Sequence, residues 1–119
     1  MNFKSYLRES RRPKSKIMNE LFVQFQEIVK LPAGNQRDRE IMRLSMIAEL
    51  DAVNLYENLA KQTTNATVKD LLLDIANEEK VHVGEFEAML EELDPEWEKY
   101  EDEGEEEAAD KFNIDIEEE

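Results

Sequence analysis

The chain has 119 residues, 15 of them basic and 30 acidic, for a net charge of −15. That length fits one small domain, and the acidity argues against nucleic acid as a partner, because phosphates would be repelled. There is no cysteine, which excludes disulfides and thiolate metal sites. No apolar run reaches the length of a membrane span, so no membrane association is expected, and the start lacks the apolar stretch of a signal peptide. Three glycines, three prolines and abundant Leu, Glu, Ala and Lys predict an all-α protein.

The charge is uneven along the chain. Residues 1–17 hold six bases against Glu9, and residues 96–119 hold thirteen acids against two lysines. The reading divides the chain into a basic arm at 1–14, a helical domain at 15–95 and an acidic tail or linker at 96–119, solvated and disordered. The opening residues resemble the short capsid-targeting leaders of internal head proteins in T-even-type bacteriophages. Leu7-Arg8-Glu9 fits their Leu/Ile-x-Glu cleavage site, with Ser10 following.

Residues 15–31 predict a first helix with Ser15 as N-cap. Its apolar stripe is Ile17, Leu21, Phe25 and Ile28, widened by Phe22 and Val29. Pro32, Gly34 and Asn35 end it, and Asn35 or Asp38 caps the next helix.

Residues 36–62 carry the stripe Met42, Met46, Glu49, Val53, Tyr56 and Ala60. Its alternating steps of four and three describe one face of a helix packed on another. One carboxylate, Glu49, sits mid-stripe. A cap among Thr63, Thr64 and Asn65 starts a helix over 66–93, and so short a connection makes the two helices antiparallel neighbours. Pro95 ends this helix. Gly84 lies inside it at a cost of roughly 1 kcal/mol against Ala, which a close helix–helix approach would explain. Trp97 and Tyr100 could dock back on the body.

The second hairpin helix holds the stripe Leu72, Ile75, Glu79, His82, Phe86 and Met89. Glu79 and His82, the chain's one histidine, stand a turn apart and point the same way. A buried carboxylate needs a partner. Glu49 and Glu79 lie about equally far from the turn, so the hairpin brings Glu49, Glu79 and His82 to one height. Glu78, Glu85, Glu87, Asp70 and Asp74 are expected in solvent, and Met42 and Met46 in the core.

Carboxylates and imidazole without thiolate suit iron, manganese or zinc, and calcium is a further substitute. Di-iron carboxylate bundles use a Glu from each of two helices and a Glu-x-x-His from each of the other two. This chain supplies half of that set, and a hairpin alone cannot bury both its faces. Pairing of two chains about a two-fold axis remedies both shortages. The expected architecture is an antiparallel two-helix hairpin, half of a four-helix bundle, completed by dimerisation and preceded by an extra N-terminal helix.

The segment IAELDAVNLYENL, followed by DIANEEKVHVGEFEAML, resembles the encapsulated ferritins, a half-bundle branch of the ferritin-like superfamily. The likeness runs from about Leu31 to Pro95. It rests on Glu49 with Tyr56 seven residues later and on Glu-Glu-Lys-x-His at 78–82. It implies a ferroxidase that turns Fe(II) into Fe(III) at a di-iron site shared by two subunits. Glu49, Glu79 and His82 would be ligands, Tyr56 would lie beside the site, and Asp51 would stand where iron enters. It also implies a homodimer built into a ring of dimers such as a decamer, working in the cytoplasm inside an encapsulin shell. The leader would place it instead in a virion head.

The sequence departs from those relatives in places. Ala48 stands where several carry another acid, and no short shell-targeting peptide is evident at the C-terminal end. Two other functions compete with the ferroxidase. One is a non-catalytic, metal-stapled helical adaptor or phage internal head protein. The other is a rubrerythrin-like peroxide reductase, which the absence of cysteine weakens.

Overall fold

The computed structural model describes residues 16–116. The basic arm, Leu7-Arg8-Glu9 and the Ser15 cap lie outside the described residues. Among the described residues four helices follow one another: α1 (Lys16–Ile28), α2 (Asn35–Gln62), α3 (Ala66–Leu93) and α4 (Pro95–Phe112). Among the described residues there is no strand, as the composition implies. No helix among them is long and apolar enough to cross a membrane.

α2 and α3 form an antiparallel hairpin and pack along their length. Each has 28 residues, or about 42 Å at ~1.5 Å per residue. The turn between them follows from its chemistry. Asn65 is the N-cap of α3, and its side-chain oxygen accepts a hydrogen bond from the Val68 N–H at 3.0 Å. Asn65→Ala should therefore lower stability by about 1 kcal/mol. Thermal unfolding followed by circular dichroism checks this, and an unchanged midpoint would remove the cap from the account.

The start of α2 differs from expectation. Its N-cap is Gly34, with no side-chain cap, because Gly34 sits at φ 151°, where residues with a Cβ are strained. The Asn35 amide instead donates to the Leu93 carbonyl at 3.1 Å, which ties the start of α2 to the end of α3. α1 ends at Ile28, three residues short of the predicted limit, and the chain leaves it through a tight turn in which the Leu31 N–H donates to the Ile28 carbonyl.

The buried apolar residues among those described are Ile28, Val53, Ala60, Ala76 and Leu90. On α2 the expected stripe holds: Val53 and Ala60 are buried, and Met42, Met46, Glu49 and Tyr56 are half-buried. On α3 the packed face is rotated from the expected one. Ala76 and Leu90 are buried, whereas His82 and Met89 are exposed. The predicted stripe Leu72, Ile75, Glu79, His82, Phe86, Met89 thus runs from the seam out to one flank of the hairpin. Gly84 is exposed and a Cβ added there would meet nothing within 4 Å, so no close approach among the described residues explains it.

Residues 96–119, read as a solvated, disordered tail, contain the helix α4. Pro95 stands in its first turn, Glu96 and Glu98 complement its N-terminal end and Lys111 its C-terminal end, an order that suits the helix dipole. Trp97 is half-buried, and the Arg43 guanidinium lies 5.5 Å from its ring centre. Tyr100 does not dock back; it is exposed, with the Lys99 ammonium 5.4 Å from its ring centre. Asp94 is buried at the corner between α3 and α4. Its carboxylate meets Arg43 at 3.3 Å and Arg39 at 3.8 Å.

Candidate metal centre

Glu49 comes from the middle of α2, and Glu79 and His82 come from the middle of α3. One ligand atom from each lies within 4.8 Å of the others. The His82 Nδ1 stands 3.6 Å from a Glu49 oxygen and 3.5 Å from a Glu79 oxygen. The antiparallel register therefore puts the three side chains level, and the one-turn spacing of Glu79 and His82 aims them together.

The donor set can be tested against a metal. Two atoms each about 2.1 Å from one ion stand roughly 3.0–3.4 Å apart, depending on geometry. The observed separations are only slightly wider, so small side-chain rotations bring them within reach. Two carboxylates and one imidazole suit a hard or borderline divalent ion. The residues present fit such an ion.

The cluster is open on one side. Glu49 and Glu79 side chains are 21% and 19% exposed, but His82 is 47% exposed, so the interior expected for all three is not made by one chain. On the helical wheels, Leu55 and Leu59 of α2 and Leu71 and Met89 of α3 fall on the same flank as His82. Each of these four is between 43% and 58% exposed. The half-open polar cluster is thus bordered by a row of uncovered apolar side chains.

The other named residues fall as follows. Tyr56 follows Glu49 by two turns on the same face and is half-buried. Asp51, two residues beyond Glu49, is half-buried and points well away from it around the helix. It is not among the atoms that converge. Glu78, Glu85, Asp70 and Asp74 are exposed, as expected. Glu87 is not; it is half-buried and faces α4.

A second convergence was missed by sequence reasoning. Glu87 and Glu91 of α3 and Glu101 of α4 bring carboxylate oxygens within 4.8 Å of one another. The one available signal was that Glu87 and Glu91 share a helix row. Their partner lies in the stretch read as unstructured. The hydrogen bond from Glu87, burial and the charge of Glu87 push the Glu101 carboxyl up to about 7, while the Trp97 indole pulls the other way. Burial and the charges of Glu101 and Glu98 also raise Glu91.

A hairpin of long helices with Glu on one and Glu-x-x-His on the other defines the ferritin-like class of proteins. Comparison with known proteins places the chain more narrowly. The rubrerythrin family matches residues 40–119. The crystal structure of the encapsulated ferritin domain from Pyrococcus furiosus superposes with a TM-score of 0.70 at 36% identity, over 98% of this chain and 97% of that one. The chain belongs to the rubrerythrin family and, within it, to the encapsulated ferritins. A ferritin-like–encapsulin shell fusion protein of Pyrococcus furiosus is 54% identical over 65 residues, 55% of this chain and 19% of the relative. The encapsulin nanocompartment cargo protein EncC of Myxococcus xanthus is 40% identical over 55 residues, 46% of this chain and 42% of the relative. The chain thus spans less than half the length of either curated relative. Neither description concerns a virion, and the virion-head alternative has no support from them.

Proposed function

We propose that the protein is a ferroxidase. Fe(II) is the substrate, held by Glu49, Glu79 and His82, and dioxygen accepts the electron that each iron gives up. The convergence of two carboxylates and an imidazole from facing helices at the edge of an uncovered apolar flank carries this reading. Anionic oxygen donors gain more from Fe(III) than from Fe(II), because attraction grows with ionic charge. Glu49 and Glu79 therefore favour the oxidised product. His82 supplies a neutral donor and sits where it meets both carboxylates. Tyr56 packs on the same face and orders the site. Asp51 lies outside the cluster and turned away from it around α2, so it takes no part in holding the iron.

Two copies of the chain complete the site in this proposal. Pairing along the His82 flank would cover Leu55, Leu59, Leu71 and Met89 and enclose the open side of the cluster. The dimers assemble further into a ring. The names of the two curated relatives support an encapsulin shell as partner and the inside of a nanocompartment as the place of work, where Fe(III) would accumulate as mineral.

Aerobic addition of Fe(II) tests the reading. Fe(III) absorbance should rise and oxygen should be consumed faster than in protein-free buffer. Binding of Fe(II) without either signal would leave the metal-stapled adaptor as the better account. Protons compete with metal for the imidazole and the carboxylates, so metal occupancy should fall as the pH is lowered. Metal analysis after equilibration at stepwise lower pH checks this, and occupancy unchanged into mild acid would argue against His82 as a ligand.

A further inference from the structure

On the hairpin flank opposite His82, α4 lies against the rest of the chain through a small set of polar contacts. A groove of about 710 Å3 opens there, lined in part by Arg39, Arg43, Trp97 and Glu101. One end is a fixed pivot. Asp94 caps α3, accepts from Arg43 and begins α4, and the Trp97 N–H returns to its carbonyl at 3.0 Å. One turn beyond Trp97, Glu101 meets Glu87 across the gap between α4 and α3, with Glu91 beside them. α4 has no buried residue of its own, so little apolar contact holds it there. We propose that Glu87 and Glu101 form a proton-operated latch, which holds α4 against α3 in mild acid and loosens it as the pH rises to neutrality.

The chemistry follows from the groups that face one another. Two carboxylic groups share a hydrogen bond only while one keeps its proton. Once both are ionised, Glu87 and Glu101 repel across the gap. Glu91 from α3 and Asp102 from α4 add charge of the same sign. The nearest cations, Arg39 and Arg43, line the same groove but make their ion pairs with Asp94 and none with Glu87 or Glu101 among the described residues. The Trp97 indole is the group beside Glu101 that favours its ionised form.

The direction is fixed by linkage. Docked, the Glu101 carboxyl is raised from 4.5 to about 7; released, it returns to the ordinary value. Docking therefore takes up a proton between those limits. It is strongest below the ordinary carboxylate range, weakens across the window, and is weakest from neutrality upward.

Trp97 is the one tryptophan of the chain, and it sits a turn from Glu101, so its emission reports the latch. In the full-length protein, in chelating buffer, emission should shift to the red between about pH 5 and pH 8 as the indole meets more water. Glu101→Gln, which keeps a neutral hydrogen-bonding group, should hold the acid-like emission throughout. Glu87→Gln should do the same and serves if the first variant folds poorly by circular dichroism. His82→Ala should keep the parent's pH course, because His82 lies on the other flank. A parent and Glu101→Gln that redden together, or an emission course that disappears in His82→Ala, would overturn the latch.

Discussion

Replacing Glu49, Glu79 or His82 with alanine should abolish rapid Fe(II) oxidation. Loss of a group that merely orients a metal ligand costs ~10–100-fold in affinity or activity, so loss of a ligand itself should exceed about 100-fold. Each change would act twice in a site that two chains share. Glu85→Ala, at an exposed position of the same helix, should leave the rate intact. Stopped-flow absorbance with oxygen consumption measures both. Stability should respond in the opposite sense to an ordinary core truncation. Without metal, Glu49 and Glu79 place two like charges within 4.8 Å of each other with no cation bound between them to offset the repulsion. Glu49→Ala and Glu79→Ala should then match the metal-free parent or exceed it, by up to about 1 kcal/mol given their partial exposure. His82→Ala should bring no such gain, since its ring stands between the carboxylates. A fully active Glu49→Ala protein would dismantle the shared site, and so would a Glu85→Ala protein as damaged as Glu79→Ala.

Removing metal should also drive the assembly toward smaller species. A site divided between two chains cannot form in one, and a ligand that binds only the assembled form stabilises it by mass action. Metal at about 100 times its dissociation constant contributes about 2.7 kcal/mol, roughly a 100-fold change in the dimer dissociation constant. The uncovered Leu55, Leu59, Leu71 and Met89 should retain some pairing without metal, so the effect is a shift in midpoint. Native mass measurements across a dilution series, with and without chelator, read it directly. Equal oligomers at every concentration in both conditions would mean that metal and pairing are independent.

Much of this protein is legible in its residues. Three-four spacing specified the hairpin, the run Thr63-Thr64-Asn65 specified its turn, with the structure choosing Asn65 as the cap, and Pro95 specified the end of α3. Equal distances of Glu49 and Glu79 from the turn put them level, because an antiparallel register is fixed once the connection is short. Those facts need only local geometry. Tertiary structure decided what local geometry leaves open. A stripe shows that one side of a helix is apolar, but not which edge of that side meets the neighbour. The rotation of α3 that buries Ala76 and Leu90 and leaves His82 on the flank emerged only from the packed pair.

The acidic stretch after Pro95 is the clearest case. Nine acids among 18 residues read as self-repelling and unfolded. Yet Glu is a good helix former, and Asp94 at the corner is held by arginines that lie some fifty residues earlier in sequence. Once α4 is formed and placed, Glu101 meets Glu87, and a residue that seemed a solvent-facing acid becomes half of a proton-sharing pair. Sequence by itself determined the first three helices, the hairpin and the levelling of Glu49, Glu79 and His82, because periodicity and turn chemistry act over a few residues. Only the tertiary structure decided which flank stays open and which acids meet, because those depend on helix rotation and on contacts distant along the chain.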